Sequence, residues 1–374
     1  MRLNPSAVNR QPRQPRSVGR LTGLAVASLL VALLVMLLLG SAPSSAVDKP
    51  SAARPTMVGI NLAMGEFAPQ KVPGVYGQDY NFPNRATAAP FLTMGMNTVR
   101  VPFLWERLQP VAMAPLNVDE LKRLDRVVAD MSGFKVVILD LHNYGRYRGR
   151  VLDPTNGSGS MLDDVWRRLA THYKGSSQVA FGIMNEPHGI DAGAWRAVAD
   201  GTVQTIRRTG ARNLILVPGT HWTGAHSWFN GGARSNAAQM AGFKDPGNNF
   251  LFEIHQYFDG DSSGSSASCV SGTIGRNRLT ALTAWLRKEK AGALLGEFGA
   301  ANNPVCLAAL DDVLSYMNNH GDVWRGWTYW AAGDWWGDYF FSVQPDGKGR
   351  GKAQSAVLRK YLRNGTAQGR PAKT

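Results

Sequence analysis

From Met57 onward, short apolar runs alternate with amphipathic stretches, and the alternation repeats eight times, with runs at 57–63, 98–103, 135–142, 179–186, 213–220, 250–257, 291–297 and 325–330. A short, continuous apolar run is the pattern of a strand buried on both faces, as in a parallel sheet covered by helices. The stretches between carry the helical period instead. In 117–133, Leu121, Leu124, Val127, Val128 and Met131 share one face, and Asn117 with Glu120 has capping-box spacing, which predicts a helix starting at Asn117. In 191–210, Trp195, Val198, Ala199, Thr202, Val203 and Ile206 recur at three and four, with Asp191 as N-cap and Gly210 at the far end. The stretches 276–290 and 306–320 follow suit. Eight strand–helix units predict the α/β class, a (β/α)8 TIM barrel forming a single catalytic domain over 57–345. The Ser- and Gly-rich stretch 259–271 reads as a long surface loop.

The ends of the chain differ from this middle. Residues 1–46 hold Arg2, Arg10, Arg13, Arg16 and Arg20 with no acid, then the apolar run Leu21 to Leu39, then small residues ending at Ala46. This is the pattern of a secretion signal cut after Ala46; the run is also long enough to serve as an uncleaved membrane anchor. Residues 47–56 read as a short disordered leader. Removing the five arginines takes the formal charge from +14 to +9, and eight of the remaining basic residues lie between Lys348 and Lys373. The core is therefore near neutral, and 346–374 reads as a terminal helix and basic tail. With Tyr361 as its one aromatic, that tail has too little interleaving to stack bases, so no nucleic-acid partner is expected. Two cysteines, Cys269 and Cys306, in an exported chain predict one disulfide, worth roughly 2–4 kcal/mol by the chain-entropy argument.

The chemistry gathers at the strand ends. Asn185-Glu186-Pro187 closes the fourth run and Glu297 closes the seventh, and in a parallel barrel those tips share the face on which active sites are built. Two carboxyl groups over one cleft are what glycosidic bond cleavage requires. No His-x-His follows the first run and no His-Glu-x-x-His occurs, so His142, His221, His226 and His255 give no reason to expect a metal, and no cofactor is expected.

Six further strand-end residues join the two glutamates: Arg100 in Asn97-Thr98-Val99-Arg100, His142 in Asp140-Leu141-His142, Asn185, His255 and Tyr257 in His255-Gln256-Tyr257, and Trp330 in Trp327-Thr328-Tyr329-Trp330. Together they resemble the signature of glycoside hydrolase family five of clan A, in its cellulase branch of endo-β-1,4-glucanases. The resemblance implies Glu186 as acid/base, Glu297 as nucleophile, Arg100 and Tyr257 beside Glu297, and Asn185 on the sugar 2-hydroxyl. His142 and Trp330 would shape the same sugar subsite. Trp222, Trp335, Trp105 and Tyr144 are candidates for stacking on further glucose faces, with only one of Trp335 and Trp336 free to face the cleft. Glu253 is expected in a structural ion pair, and Glu66 has no assigned role. The implied activity is a secreted, retaining endo-β-1,4-glucanase acting as a monomer on β-glucan polysaccharide, with no membrane partner once the signal is cut. Mannanase action with the same glutamates, and a catalytically inert carbohydrate-binding barrel, are the alternatives the residues leave open.

Overall fold

The computed structural model describes residues 53–362, so the expected signal over 1–46 and the tail beyond 362 lie outside the described residues. Eight parallel strands close into a barrel: β1 (Met57–Leu62), β2 (Thr98–Phe103), β3 (Val136–Leu141), β4 (Val179–Gly182), β5 (Ile215–Pro218), β6 (Phe250–His255), β7 (Ala293–Glu297) and β8 (Trp324–Ala332). Each falls on one of the eight apolar runs, and β8 hydrogen-bonds β1 to complete the circle.

The helices pack outside. They are α1 (Arg85–Met94), α2 (Val118–Asp130), α3 (Gly159–Tyr173), α4 (Ala192–Arg208), α5 (Ile274–Glu289), α6 (Pro304–Asn319) and α7 (Ala353–Arg359). Both predicted caps are present: the Asn117 side chain accepts from the N–H groups of Asp119 and Glu120, and Asp191 accepts from those of Gly193 and Ala194. Between β5 and β6 the chain makes only short turns and the four-residue helix Asn236–Gln239, so this part of the ring has no full-length helix. A small hairpin, Arg146–Tyr147 with Arg150–Val151, follows β3; two-residue strands leave no periodic signal, and the sequence reading missed it. The end of the expected leader is held in place, since Thr56 N–H donates to the Arg325 carbonyl at 2.9 Å. The terminal helix docks on α6 through Tyr361, whose hydroxyl bonds the Asp311 carbonyl at 2.9 Å.

The barrel interior is layered. Ile138, Ala180, Leu216, Leu251 and Leu294 form a small apolar cluster of their own. One step further toward the C-terminal mouth on β3 and β6, on the same face, come Asp140 and Glu253, which form a polar layer with Asn61 of β1 and Arg100 of β2. Gly296 makes room for this polar layer, because a Cβ there would sit 2.6 Å from Glu253 Oε1. The disulfide Cys269–Cys306 ties the loop 259–271 to α6.

Candidate active site

Arg100 is fully buried and organises the mouth. Its Nε donates to Glu253 Oε1 at 2.7 Å, Nη1 to Asn61 Oδ1 at 3.0 Å and to Glu297 Oε1 at 2.9 Å, and Nη2 to Asn185 Oδ1 at 2.7 Å. Nη2 also lies 3.1 Å from Asp140 Oδ1. Burial alone would lower its pKa, but Asp140, Glu253 and Glu297 outweigh burial and raise it, so the cation is permanent. A planar five-donor fork can serve this many acceptors at once, which a lysine could not.

Glu297 ends β7, where the register between β6 and β7 slips after Ile254 and sets His255 opposite Glu297. The slip brings its second oxygen under Tyr257, whose hydroxyl donates to Oε2 at 2.8 Å. Burial, then the charge of Glu297, holds the Tyr257 pKa well above its ordinary value, so the hydroxyl keeps its proton.

Glu186 stands beyond β4 with φ of +40°, a left-handed backbone that costs a non-glycine residue about 1–3 kcal/mol and recurs at functional sites. The Asn185 N–H, bonded to the Leu141 carbonyl at 2.8 Å, anchors the turn. His255 Nδ1 lies 2.7 Å from Glu186 Oε1 and 3.5 Å from Glu297 Oε2. Burial lowers the pKa of this imidazole, but Glu297, Glu186 and Glu253 together raise it to about 10, so it is a cation that donates to Glu186 at neutral pH. One oxygen of Glu186, one of Glu297 and a ring nitrogen of His255 all lie within 4.8 Å of one another. That spacing would also suit metal ligands, but a protonated imidazole has no lone pair to offer at its donating nitrogen.

Asn185 is held between two neighbours. With Oδ1 taken by Arg100, its Nδ2–H faces His142 Nε2 at 3.2 Å, while His142 Nδ1 meets Asp140 Oδ2 at 2.7 Å. An amide donor at Nε2 requires a lone pair there, which selects the tautomer carrying its proton on Nδ1, toward Asp140. The His142 ring stacks on Trp330 at 5.8 Å and 16°.

Every strand-end residue named from sequence thus lies at one barrel mouth. The aromatic rim is more mixed. Trp222 is 51% exposed and stacks on His188 at 4.7 Å, presented by a turn in which His221, Trp222 and Thr223 all have positive φ. Trp335 is 36% exposed, whereas Trp336 packs on Trp330, Phe67 and Tyr339; both border the same cleft. Trp105 does not reach the rim: it is buried, against Tyr147 and with Nε1 bonded to Gln109, because the short helix Trp105–Leu108 turns it inward. Sequence reasoning missed Asp140 and Asn61, whose part lies in orienting His142 and Arg100. The only cue for Asp140 was its place one strand step before His142, and Asn61 had none.

A cleft of about 430 Å³ lies beside Glu186, lined by Trp222, His255, Tyr257 and the loop residues Asp261 to Ser263. A second region of about 620 Å³ meets His142, Tyr144, Trp330 and Trp335. Known proteins are similar to this chain in sequence and fold. Endo-beta-1,4-glucanase B of Aspergillus niger is 39% identical over 306 residues, covering 81% of this chain and 89% of that protein. The solved endo-beta-1,4-glucanase Xac0029 from Xanthomonas axonopodis pv. citri is 47% identical with a TM-score of 0.80, over 82% of this chain and 98% of that one. XacCel5A, solved in complex with cellopentaose, is 48% identical with a TM-score of 0.80, over 81% and 98%. The family description "Cellulase (glycosyl hydrolase family 5)" matches residues 59–333, most of the chain, and the chain accordingly belongs to glycosyl hydrolase family 5.

Proposed function

We propose that this chain is an exported endo-β-1,4-glucanase that cleaves internal bonds of cellulose or soluble β-glucan with retention, Glu297 acting as nucleophile and Glu186 as acid/base. The observation that carries the reading is the approach of the two carboxylates within 4.8 Å. Retaining enzymes hold theirs about 5–5.5 Å apart, whereas inverting ones leave about 6.5–9.5 Å for a water.

The partners divide the work. Arg100 and Tyr257 each hold one oxygen of Glu297, so the attacking carboxylate is oriented before the sugar arrives. His255 occupies Oε1 of Glu186, leaving Oε2 to carry the proton toward the leaving oxygen. Once Glu297 is esterified its negative charge is gone, and the newly ionised Glu186 faces only the His255 cation. It can then take a proton from the incoming water, and Glu297 departs as a carboxylate. Asn185, held by Arg100 and His142, is the residue that would bond the sugar 2-hydroxyl in this reading. Since Glu186 protonates the leaving group, the cleft beside it with Trp222 receives the aglycone, and the region of Trp330 and Trp335 receives the glycone. The β-1,4-glucanase names of relatives up to 47% identical, and the cellopentaose in complex with the 48% identical XacCel5A, support this substrate over mannan.

The test is reducing-sugar release and viscosity on carboxymethylcellulose, galactomannan and xyloglucan, with Glu186→Gln and Glu297→Gln as controls. Rapid loss of viscosity of carboxymethylcellulose, absent in both variants, is the expected result. Activity on galactomannan alone would move the protein to mannanases, and a wild type as inert as its variants would favour a binding-only barrel.

A further inference from the structure

Glu66 has no part in the chemistry above, yet it lines the glycone region and is only 8% exposed. Its Oε2 is buried without a hydrogen-bond partner, and among the described residues no other side chain bonds the carboxyl. Burial, the largest influence, pushes its pKa up to about 7. Near neutral pH the group can therefore both donate and accept, matching a sugar hydroxyl, which does the same. A buried polar atom left unsatisfied costs about 1–3 kcal/mol, so a retained one needs an occupant to explain it.

The segment around Glu66 is built to hold it still. The Gly65 backbone bridges to Phe103 at the barrel mouth. The buried Arg107 then gathers the loop carbonyls, donating Nη1 to Gly65 at 2.7 Å, Nη2 to Phe67 at 2.6 Å and Nε to Pro73 at 3.0 Å, with its guanidinium 3.8 Å over Tyr80. A carboxyl so placed shares the cleft with the flat faces of Trp330, Trp335 and Trp336 and with the polar Gln70, Gln78 and Asp79, and supplies an orienting contact that the aromatic faces lack.

We propose that Glu66 is a sugar-binding residue of the glycone cleft, hydrogen-bonding a hydroxyl of the glucose next to the one held by His142 and Trp330. This rests on the glucanase reading above. The test uses the full chain, wild type, Glu66→Met and Glu66→Ala, with cellopentaose labelled by 18O at its reducing end. It follows kcat/KM, the bond cut and thermal unfolding. Losing one such hydrogen bond should lower kcat/KM by about five- to ten-fold in both variants. Cleavage should shift toward the non-reducing end, because fewer sugars then occupy the glycone side. Glu66→Met, an apolar near-isostere, should melt no lower than wild type, since it removes an unsatisfied buried group. Wild-type cleavage pattern and rate in either folded variant would overturn the assignment, as would a lower melting temperature with the pattern unchanged, which marks a structural role. Wild type that leaves cellopentaose intact would sink the glucanase reading itself, a result separable from any behaviour of the variants.

Discussion

Tyr257→Phe removes one oxygen and leaves the ring, which stacks on Phe341 at 5.7 Å and 6°. The deleted hydroxyl donates to Glu297 Oε2 at 2.8 Å, the atom on which charge develops as the nucleophile departs in the second half-reaction. A hydrogen bond to a charged group is worth about 1.5–3 kcal/mol. Its loss should therefore slow deglycosylation by about 10- to 150-fold. Nothing else nearby can replace it, since His255 Nδ1 is already 2.7 Å from Glu186 and remains 3.5 Å from Glu297 Oε2. Steady-state kinetics on cellopentaose should show kcat falling with KM unchanged or lower, as the glycosyl-enzyme accumulates, and a burst should appear in rapid-quench experiments. Thermal unfolding should show a loss no larger than that one hydrogen bond, because ring packing is kept. A kcat within a factor of about two of wild type would refute the claim that this hydroxyl stabilises the departing carboxylate.

Other substitutions probe the buried charges. Arg100→Met leaves Asp140, Glu253 and Glu297 without their shared cation; breaking a buried pair costs about 3–5 kcal/mol, so urea titration should show at least that loss. His255 has a folded pKa near 10, above the roughly 6.5 of an unfolded imidazole. Its contribution to stability is then complete below about pH 6.5 and is lost as pH rises through about 10, so the melting-temperature gap between wild type and His255→Asn should shrink over that window. Reducing Cys269–Cys306 should lower stability by roughly 2–4 kcal/mol, with unfolding in the presence and absence of dithiothreitol as the check.

The barrel was legible because each strand is buried on both faces and so writes an unbroken apolar run, while Asn117 and Asp191 cap their helices with side chains whose preference is local. The strand-end residues were legible because their chemistry stands at fixed places in that pattern. What stayed hidden depends on contacts between distant segments. The slip that sets His255 against Glu297 is a property of two paired strands, and neither sequence announces it. Trp105 and Trp222 are both tryptophans in loops after strands, yet one is turned inward by a short helix and the other outward by three left-handed residues. Glu66 looked idle because nothing in its neighbourhood of sequence indicates that its carboxyl is buried unpaired in the cleft wall.

Double displacement requires Glu297 to attack the sugar and carry it covalently. Incubation with a 2-deoxy-2-fluoro-cellobioside bearing an activated leaving group, followed by peptide mass mapping, tests it most directly. A single glycosyl adduct is expected on Glu297, in the segment Ala293–Glu297, and none in Glu297→Gln. An adduct on Glu186 or any other residue, or turnover giving the inverted anomer with no adduct, would contradict it.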